Sequence, residues 1–280
     1  MAAVYAELNR VRTVSERTEY ADGEFCWIDL ASEDVDGAIR FYGGLLGWEA
    51  EPAPGPEEET GGYGFFRQRG KLVGGYGPLQ SEGQHPAWAS YVKTSDADET
   101  AAKVREAGGG VPFGPVDLPR DSGRMAVCTD TEGAFFSIYE PHQMKGAELV
   151  NEVGSWTWNN LLTPDLEGAQ EFYGKVFGWE AIHNEEAPPN ILMWQVEGQR
   201  WPEGHAGLMG MSDEIPPETP PHWQVYLMVE KADDAIEQIK GDGGLVLFGP
   251  IDIPTGRTAI VSDPEGVSFG IIESRYPEPR

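Results

Sequence analysis

The stretch FCWIDLASEDVDGAIRFYGGLLGW, residues 25–48, is written a second time as SWTWNNLLTPDLEGAQEFYGKVFGW, residues 155–179. Each copy opens on a strand with a tryptophan at the equivalent point, Trp27 and Trp158. An indole nitrogen donates one hydrogen bond and has no lone pair for a cation, so these positions offer stacking and a single N–H. Side chains alternate along a strand, which places Phe25 and Asp29 beside Trp27, and Trp156 and Asn160 beside Trp158. Asp29 is the one carboxylate in that set and the sole catalytic candidate. Four readings of it stand: a general base with a raised pKa, a counter-ion for a ligand amine, a carboxylate bonded to backbone amides, or one at the wet rim.

Other chemistry is sparse. The five histidines, His85, His142, His183, His205 and His222, include no two at helical or strand ligand spacing. A meeting of His205 and His222 with a carboxylate is the remaining route to a metal among them. No phosphate loop, nucleophile elbow, dinucleotide fingerprint or zinc-binding helix occurs. Arg124 and Arg257 recur after Ser-Gly and Thr-Gly, where a strand-end salt bridge competes with binding of a ligand carboxylate. Cys26 and Cys128 sit in apolar strands and suit core packing in a reduced cytoplasm.

The elements behind these residues repeat in order. HPAWASYVKTSDADETAAKVREAGGGVPFGPVDLP pairs with PPHWQVYLMVEKADDAIEQIKGDGGLVLFGPIDIP, and SGRMAVCTDTEGAFFSIYE pairs with TGRTAIVSDPEGVSFGIIE. An internal repeat of this length implies two homologous domains. The expected division is an N-terminal arm over 1–21, domains over 22–141 and 152–276, and a linker over 142–151. The first helix is predicted to start after an N-cap at Ser32, with Val35, Ile39, Tyr42 and Leu46 along one stripe. Its counterpart is predicted to start at Thr163-Pro164. A second helix is predicted over 97–107 and again over 232–239. The Asp-x-Glu-Gly turns, Asp130 to Gly133 and Asp263 to Gly266, join paired strands and call for a glycine at positive φ. Each domain thus reads βαβββ-βαβββ, an α+β layering.

Composition narrows the class. The chain of 280 residues is 40% hydrophobic and 11% aromatic, which is globular, and its 36 glycines and 22 prolines imply many turns. A net charge of −27 repels a phosphate backbone and argues against nucleic acid. The same field serves solubility and concentrates small cations. No apolar run approaches membrane-spanning length and the first residues lack an apolar signal core, so a soluble, cytoplasmic protein is expected.

The motifs VDGAIRFYGGLLGW, LEGAQEFYGKVFGW, HAGLMGM and the two Asp-x-Glu-Gly turns, in this order and twice, resemble the vicinal oxygen chelate superfamily of glyoxalase, bleomycin-resistance and dioxygenase-like proteins. The likeness covers nearly everything after residue 22, and it is to the tandem, actinobacterial-type branch. It implies that each domain's two βαβββ modules curl into a cup. Enzymes of the family hold one divalent metal there with His or Gln, His and Glu from the first, fifth and eighth strands. In this chain those positions fall on Trp27, near Ala89 and on Ser137, and on Trp158, near Gln224 and on Gly270. Neither set suits a cation, so no metal or other cofactor is expected. The implied lining is Phe25, Trp27, Asp29, Tyr91, Ser137 and Tyr139 in the first cup. In the second it is Trp156, Trp158, Asn160, Gln224, Tyr226 and Gly270. Gly270 opposite Trp158 is expected to leave the second cup the more open. These features point to binding of a planar aromatic small molecule, cationic in one version, as in antibiotic sequestration, resistance or secondary metabolism. The alternative is a lyase, isomerase or oxygenase-like enzyme. A tandem pair imitates the dimer of single-domain relatives, which leaves monomer and homodimer open.

Overall fold

The structure, a computed structural model, describes residues 15–183, 188–196, 206–212, 215–216 and 218–275. The first domain runs β1 (Phe25–Ser32), α1 (Val35–Leu46), β2 (Glu49–Pro52), α2 (Glu57–Thr60), β3 (Gly64–Gln68), β4 (Lys71–Pro78), β5 (Ala87–Lys93), α3 (Ala97–Glu106), β6 (Gly110–Asp117), β7 (Gly123–Thr129) and β8 (Phe135–Pro141). The second runs β9 (Trp156–Thr163), α4 (Leu166–Phe177), β10 (Glu180–His183), β11 (Ile191–Gln195), β12 (Ala206–Gly210), β13 (His222–Met228), α5 (Ala232–Gly241), β14 (Leu245–Ile253), β15 (Gly256–Ser262) and β16 (Ser268–Ser274). Each domain is an eight-stranded mixed sheet, ordered β2-β3-β4-β1-β5-β8-β7-β6 and β10-β11-β12-β9-β13-β16-β15-β14. The two modules of a domain join where β1 runs antiparallel to β5, and β9 to β13. The expected α+β architecture of two tandem domains is what the chain forms.

Helix starts differ from the sequence reading by two residues. Asp34 and Asp165 are the N-caps, each accepting from the backbone N–H three residues on, Gly37 and Gly168, at 2.9 Å. A carboxylate there satisfies an orphan donor and complements the helix dipole, which the Ser32 hydroxyl does not. Ser32 instead donates to Glu265 of the other domain. Both helices end on a left-handed glycine, Gly47 and Gly178, whose N–H closes onto the carbonyl of Gly43 and Gly174. That turn delivers Trp48 and Trp179 to the domain boundary. Their indoles donate to the carbonyls of Gly154 and Gly23 in the opposite domains, at 2.6 and 2.9 Å.

One face of each sheet carries the helices and holds the core. Cys26, Ile28, Leu30, Val92, Ala126, Cys128, Phe136 and Ile138 are buried there. These helix-bearing faces meet at the centre of the molecule. Ser90 on β5 donates to Asn159 on β9 at 3.0 Å, and α1 packs near α5 as α3 packs near α4. Two symmetric relays cross the boundary. Trp88 donates to the Tyr42 oxygen (3.0 Å), which donates to Asp263 (3.1 Å); Trp223 donates to Tyr173 (2.8 Å), which donates to Asp130 (3.1 Å). Each aspartate also accepts two backbone N–H groups of its own Asp-x-Glu-Gly turn, so the motif is a turn and a cross-domain acceptor together. Tyr42→Phe strands the buried Trp88 N–H and removes a donor from Asp263. It should cost about 2 kcal/mol in urea unfolding, and Tyr173→Phe the same. Losses near zero would refute this role.

The linker packs as part of the fold. Ala147 N–H donates to the carbonyl of Cys26, and Leu72 O accepts from Glu148 and Leu149, which wedges the segment where β1 and β4 diverge. Glu16 of the arm bridges to Leu149. Arg124 pairs with Asp98 and Asp117, and Arg257 with Asp233 and Asp252, as strand-end salt bridges. No helix among the described residues is long and apolar enough to cross a membrane.

Candidate functional site

With the helix-bearing faces turned inward, the opposite face of each sheet looks outward, the face that forms the cup in the family the sequence resembles. Strand register fixes what lines it. In the first domain Trp27 lies opposite Tyr91, Tyr91 beside Ser137, Ser137 opposite Val127, and Val127 opposite Phe113. In the second the same row reads Trp158, Tyr226, Gly270, Ile260 and Phe248. Each row is an apolar, ring-rich band running from mid-sheet to the outer strand. Its outer rings are uncovered: Phe113 is 54% exposed and Phe248 53%, and Phe135, two residues before Ser137, is 62%. Large exposed aromatics on a concave face are what a soluble fold avoids unless the surface binds something.

At the floor of the first cup the polar groups converge on one carboxylate. Trp27 Nε1 donates to the Tyr63 hydroxyl at 3.0 Å, and Tyr63 donates to Asp29 Oδ2 at 3.0 Å. Tyr91 donates to the same oxygen at 2.9 Å. Burial pushes the Asp29 carboxyl up to about 6, against the opposing pull of the two phenols. Burial and that carboxylate together hold Tyr63 and Tyr91 well above the usual phenol range. Asp29 as a residue is half-buried. Tyr63 reaches it because Gly75 stands opposite; a Cβ there would lie 2.0 Å from the Tyr63 hydroxyl.

The second floor is neutral. Trp158 Nε1 donates to Asn160 Oδ1 at 2.8 Å, and Asn160 Nδ2 donates to the Tyr226 hydroxyl at 3.1 Å and towards Met209 Sδ at 3.4 Å. Gln224 Oε1 accepts from Ser268 at 2.9 Å. Trp158 is half-buried where Trp27 is only 2% exposed.

The structure therefore brings together Trp27, Asp29, Tyr91 and Ser137, with Tyr139 edge-on to Tyr91 at 6.5 Å, and likewise Trp158, Asn160, Gln224 and Tyr226. It separates two residues from their sets. Register slips at the start of β1 and again in β9, so strict alternation fails before Trp27 and Trp158. Phe25 turns to the inner face and packs on Trp223 (4.9 Å) and Trp179 (5.6 Å) of the other domain. Trp156, at the equivalent slip, is buried, and its indole folds back onto the Trp158 carbonyl at 3.2 Å. The room foreseen at Gly270 is filled by the Tyr226 ring, which a Cβ there would meet at 2.2 Å.

Missed altogether were Tyr63, Phe113 and Phe248. Tyr63 precedes β3 and reaches the cup only through a pairing that sequence does not print. The outer strands GVPFGP and GLVLFGP did carry a signal, since each repeats an aromatic directly before Gly-Pro.

The residues at the family's metal positions do not fit a divalent cation. Trp27, Ala89 and Ser137 in one cup, and Trp158, Gln224 and Gly270 in the other, provide no imidazole or carboxylate. Asp29 is a single carboxylate with one oxygen taken by two phenols. Among the described residues no three His, Cys, Asp or Glu gather as a ligand set. His142 pairs with Asp121 and Glu140, and His222 Nδ1 lies 2.9 Å from the Pro220 carbonyl. His205, and with it any pairing to His222, lies outside the described residues.

Comparison with known proteins agrees with the fold. "Putative glyoxylase CFP32" of Mycobacterium tuberculosis (strain CDC 1551 / Oshkosh) is 34% identical over 265 residues, covering 92% of this chain and 97% of the relative. "Anthracycline biosynthesis protein DnrV" of Streptomyces peucetius is 34% identical over 277 residues, covering 93% and 97%. The Mn(II)-bound glyoxalase from Novosphingobium aromaticivorans superposes with a TM-score of 0.61 at 15% identity, over 94% of this chain and 84% of that one, a likeness of fold alone. The profile of the Glyoxalase/Bleomycin resistance protein/Dioxygenase superfamily matches residues 25–138 and 154–271, one match for each sheet, and the chain belongs to that family as a tandem two-domain member.

Proposed function

We propose that the chain binds planar aromatic small molecules in its outward-facing cups, recognising them by stacking and hydrogen bonding in place of a coordinated metal. The observation that carries this is the aromatic band across the outer face of each sheet, whose outer rings, Phe113 and Phe248, are uncovered. Ring-on-ring contact contributes roughly 0.5–1.5 kcal/mol per pair beyond buried area, enough for several rings to hold a flat ligand. Anthracyclines, named in the biosynthetic relative, are fused planar ring systems and a fitting ligand class. A role in secondary metabolism or in sequestering such a compound follows from the same binding.

Trp27 and Trp158 report occupancy. Titration with a panel of fused-ring aromatics should quench tryptophan fluorescence saturably, at one or two equivalents. An unchanged spectrum across the panel would count against the binding reading. So would stoichiometric Zn, Ni, Fe or Mn in protein never exposed to added metal.

One observation favours a second reading. A carboxyl raised to about 6 among phenols can exchange a proton with a bound ligand near neutral pH, which suits a lyase or isomerase. Turnover that disappears in Asp29→Asn while ligand binding persists would place catalysis there.

A further inference from the structure

We infer that the two cups have opposite hydrogen-bond polarity: the first accepts from its ligand through Asp29 Oδ1, and the second donates to its ligand through the Tyr226 hydroxyl. This rests on the aromatic-binding reading above and assigns the polar end of each ligand.

The assignment follows from where each proton goes. In the first cup the Trp27 N–H is engaged by Tyr63, and the Tyr63 and Tyr91 protons both go to Asp29 Oδ2. Those donors are all engaged, and what stays open is the second carboxylate oxygen, which has no donor among the described residues. In the second cup the order is reversed. Trp158 can only donate, so the amide facing it must present Oδ1, and Asn160 Nδ2 must then face Tyr226. The Tyr226 oxygen is thereby an acceptor for Asn160, and its own proton has no acceptor among the described residues. Gln224 turns Oε1 to Ser268, which leaves its amide N–H groups as further donors.

An Asp in one half and an Asn at the equivalent point of the other are nearly the same shape, so at this position the halves differ in polarity and not in size. The first fits a flat aromatic carrying an amine or other donor group, and the overall charge of −27 draws a cationic one towards it. The second fits a flat aromatic carrying a ketone or quinone oxygen.

Two tricyclic probes separate the cases. Proflavine is a donor-only cation at pH 7.5, and 9-fluorenone is neutral and acceptor-only. Calorimetric titrations at about 0.15 M salt suppress loose attraction to the acidic surface. Each probe should bind at one equivalent, and each should bind unchanged when the other is already present. Asp29→Asn should weaken proflavine about tenfold or more and leave fluorenone alone, because a charge-assisted bond is lost. Tyr226→Phe should weaken fluorenone about fivefold and leave proflavine alone. Mutual competition of the probes, or either variant weakening both equally, overturns the polarity assignment while aromatic binding stands. Failure of both probes to bind removes the binding reading itself. The competition arm uses the unaltered protein and needs no variant to fold.

Discussion

Trp179→Ala is expected to lower the free energy of unfolding by about 3–5 kcal/mol. The ring is buried and stacks on Tyr173 at 5.3 Å and 13°, with Phe177 at 5.0 Å, Trp194 at 5.5 Å and Trp223 at 5.9 Å around it. Phe25 of the first domain closes the cluster at 5.6 Å, and the indole N–H reaches the Gly23 carbonyl. Truncation leaves a cavity shared by both domains, too large for rigid strands to refill. Unfolding followed by tryptophan fluorescence and by far-ultraviolet circular dichroism should still give one transition, shifted to lower denaturant, because neither domain keeps its core without the other. Two resolved transitions, or a loss below about 1 kcal/mol, would show that the boundary is a soft contact.

Asp29→Asn should stabilise the protein near neutral pH and do nothing in acid. Burial raises the folded carboxyl from its ordinary 3.8 to about 6. A group whose pKa is raised by folding adds stability below its unfolded pKa and forfeits it as pH climbs through the folded one. The wild type therefore loses stability between about pH 4 and pH 6. Two pKa units correspond to about 3 kcal/mol, and the partial exposure of Asp29 trims this to about 2 kcal/mol. Asparagine does not titrate, and its Oδ1 can accept from Tyr63 and Tyr91 in the same way. The gap between variant and wild type should open from near zero below pH 4 to about 2 kcal/mol at pH 7.5. Tyr63 and Tyr91 stay protonated throughout, so they contribute nothing to the slope. A gap independent of pH would mean that Asp29 titrates normally.

Much of this was legible in the residues. The doubled Phe-Tyr-Gly and Gly-Trp spacing, the helix spans and the Asp-x-Glu-Gly turns all follow from local chemistry, and the repeat supplied the architecture. What escaped depends on pairing. Ser32 has a capping hydroxyl, but the chain leaves β1 so that Asp34, two residues on, caps the helix, which the sequence reading did not foresee. Phe25 and Trp156 were set beside Trp27 and Trp158 by alternation, which holds until register slips against β5 and β13. Tyr63 is visible only once β3, β4 and β1 stand side by side. Asp29 was found because a lone carboxylate in an apolar strand is conspicuous, and Tyr91 was set in the same lining, while the other hydroxyl partner, Tyr63, lies outside the strands.

The outward aspect of the two bowls has a lasting consequence. Back-to-back placement means that no single guest can span both, and no hinge between the halves can clamp one shut. Filling either leaves the far side physically untouched, so exchanging Asp for Asn in one half carries no penalty in the other. Duplication inside one polypeptide thus leaves two outer faces free to diverge, each resting on the other half for its fold.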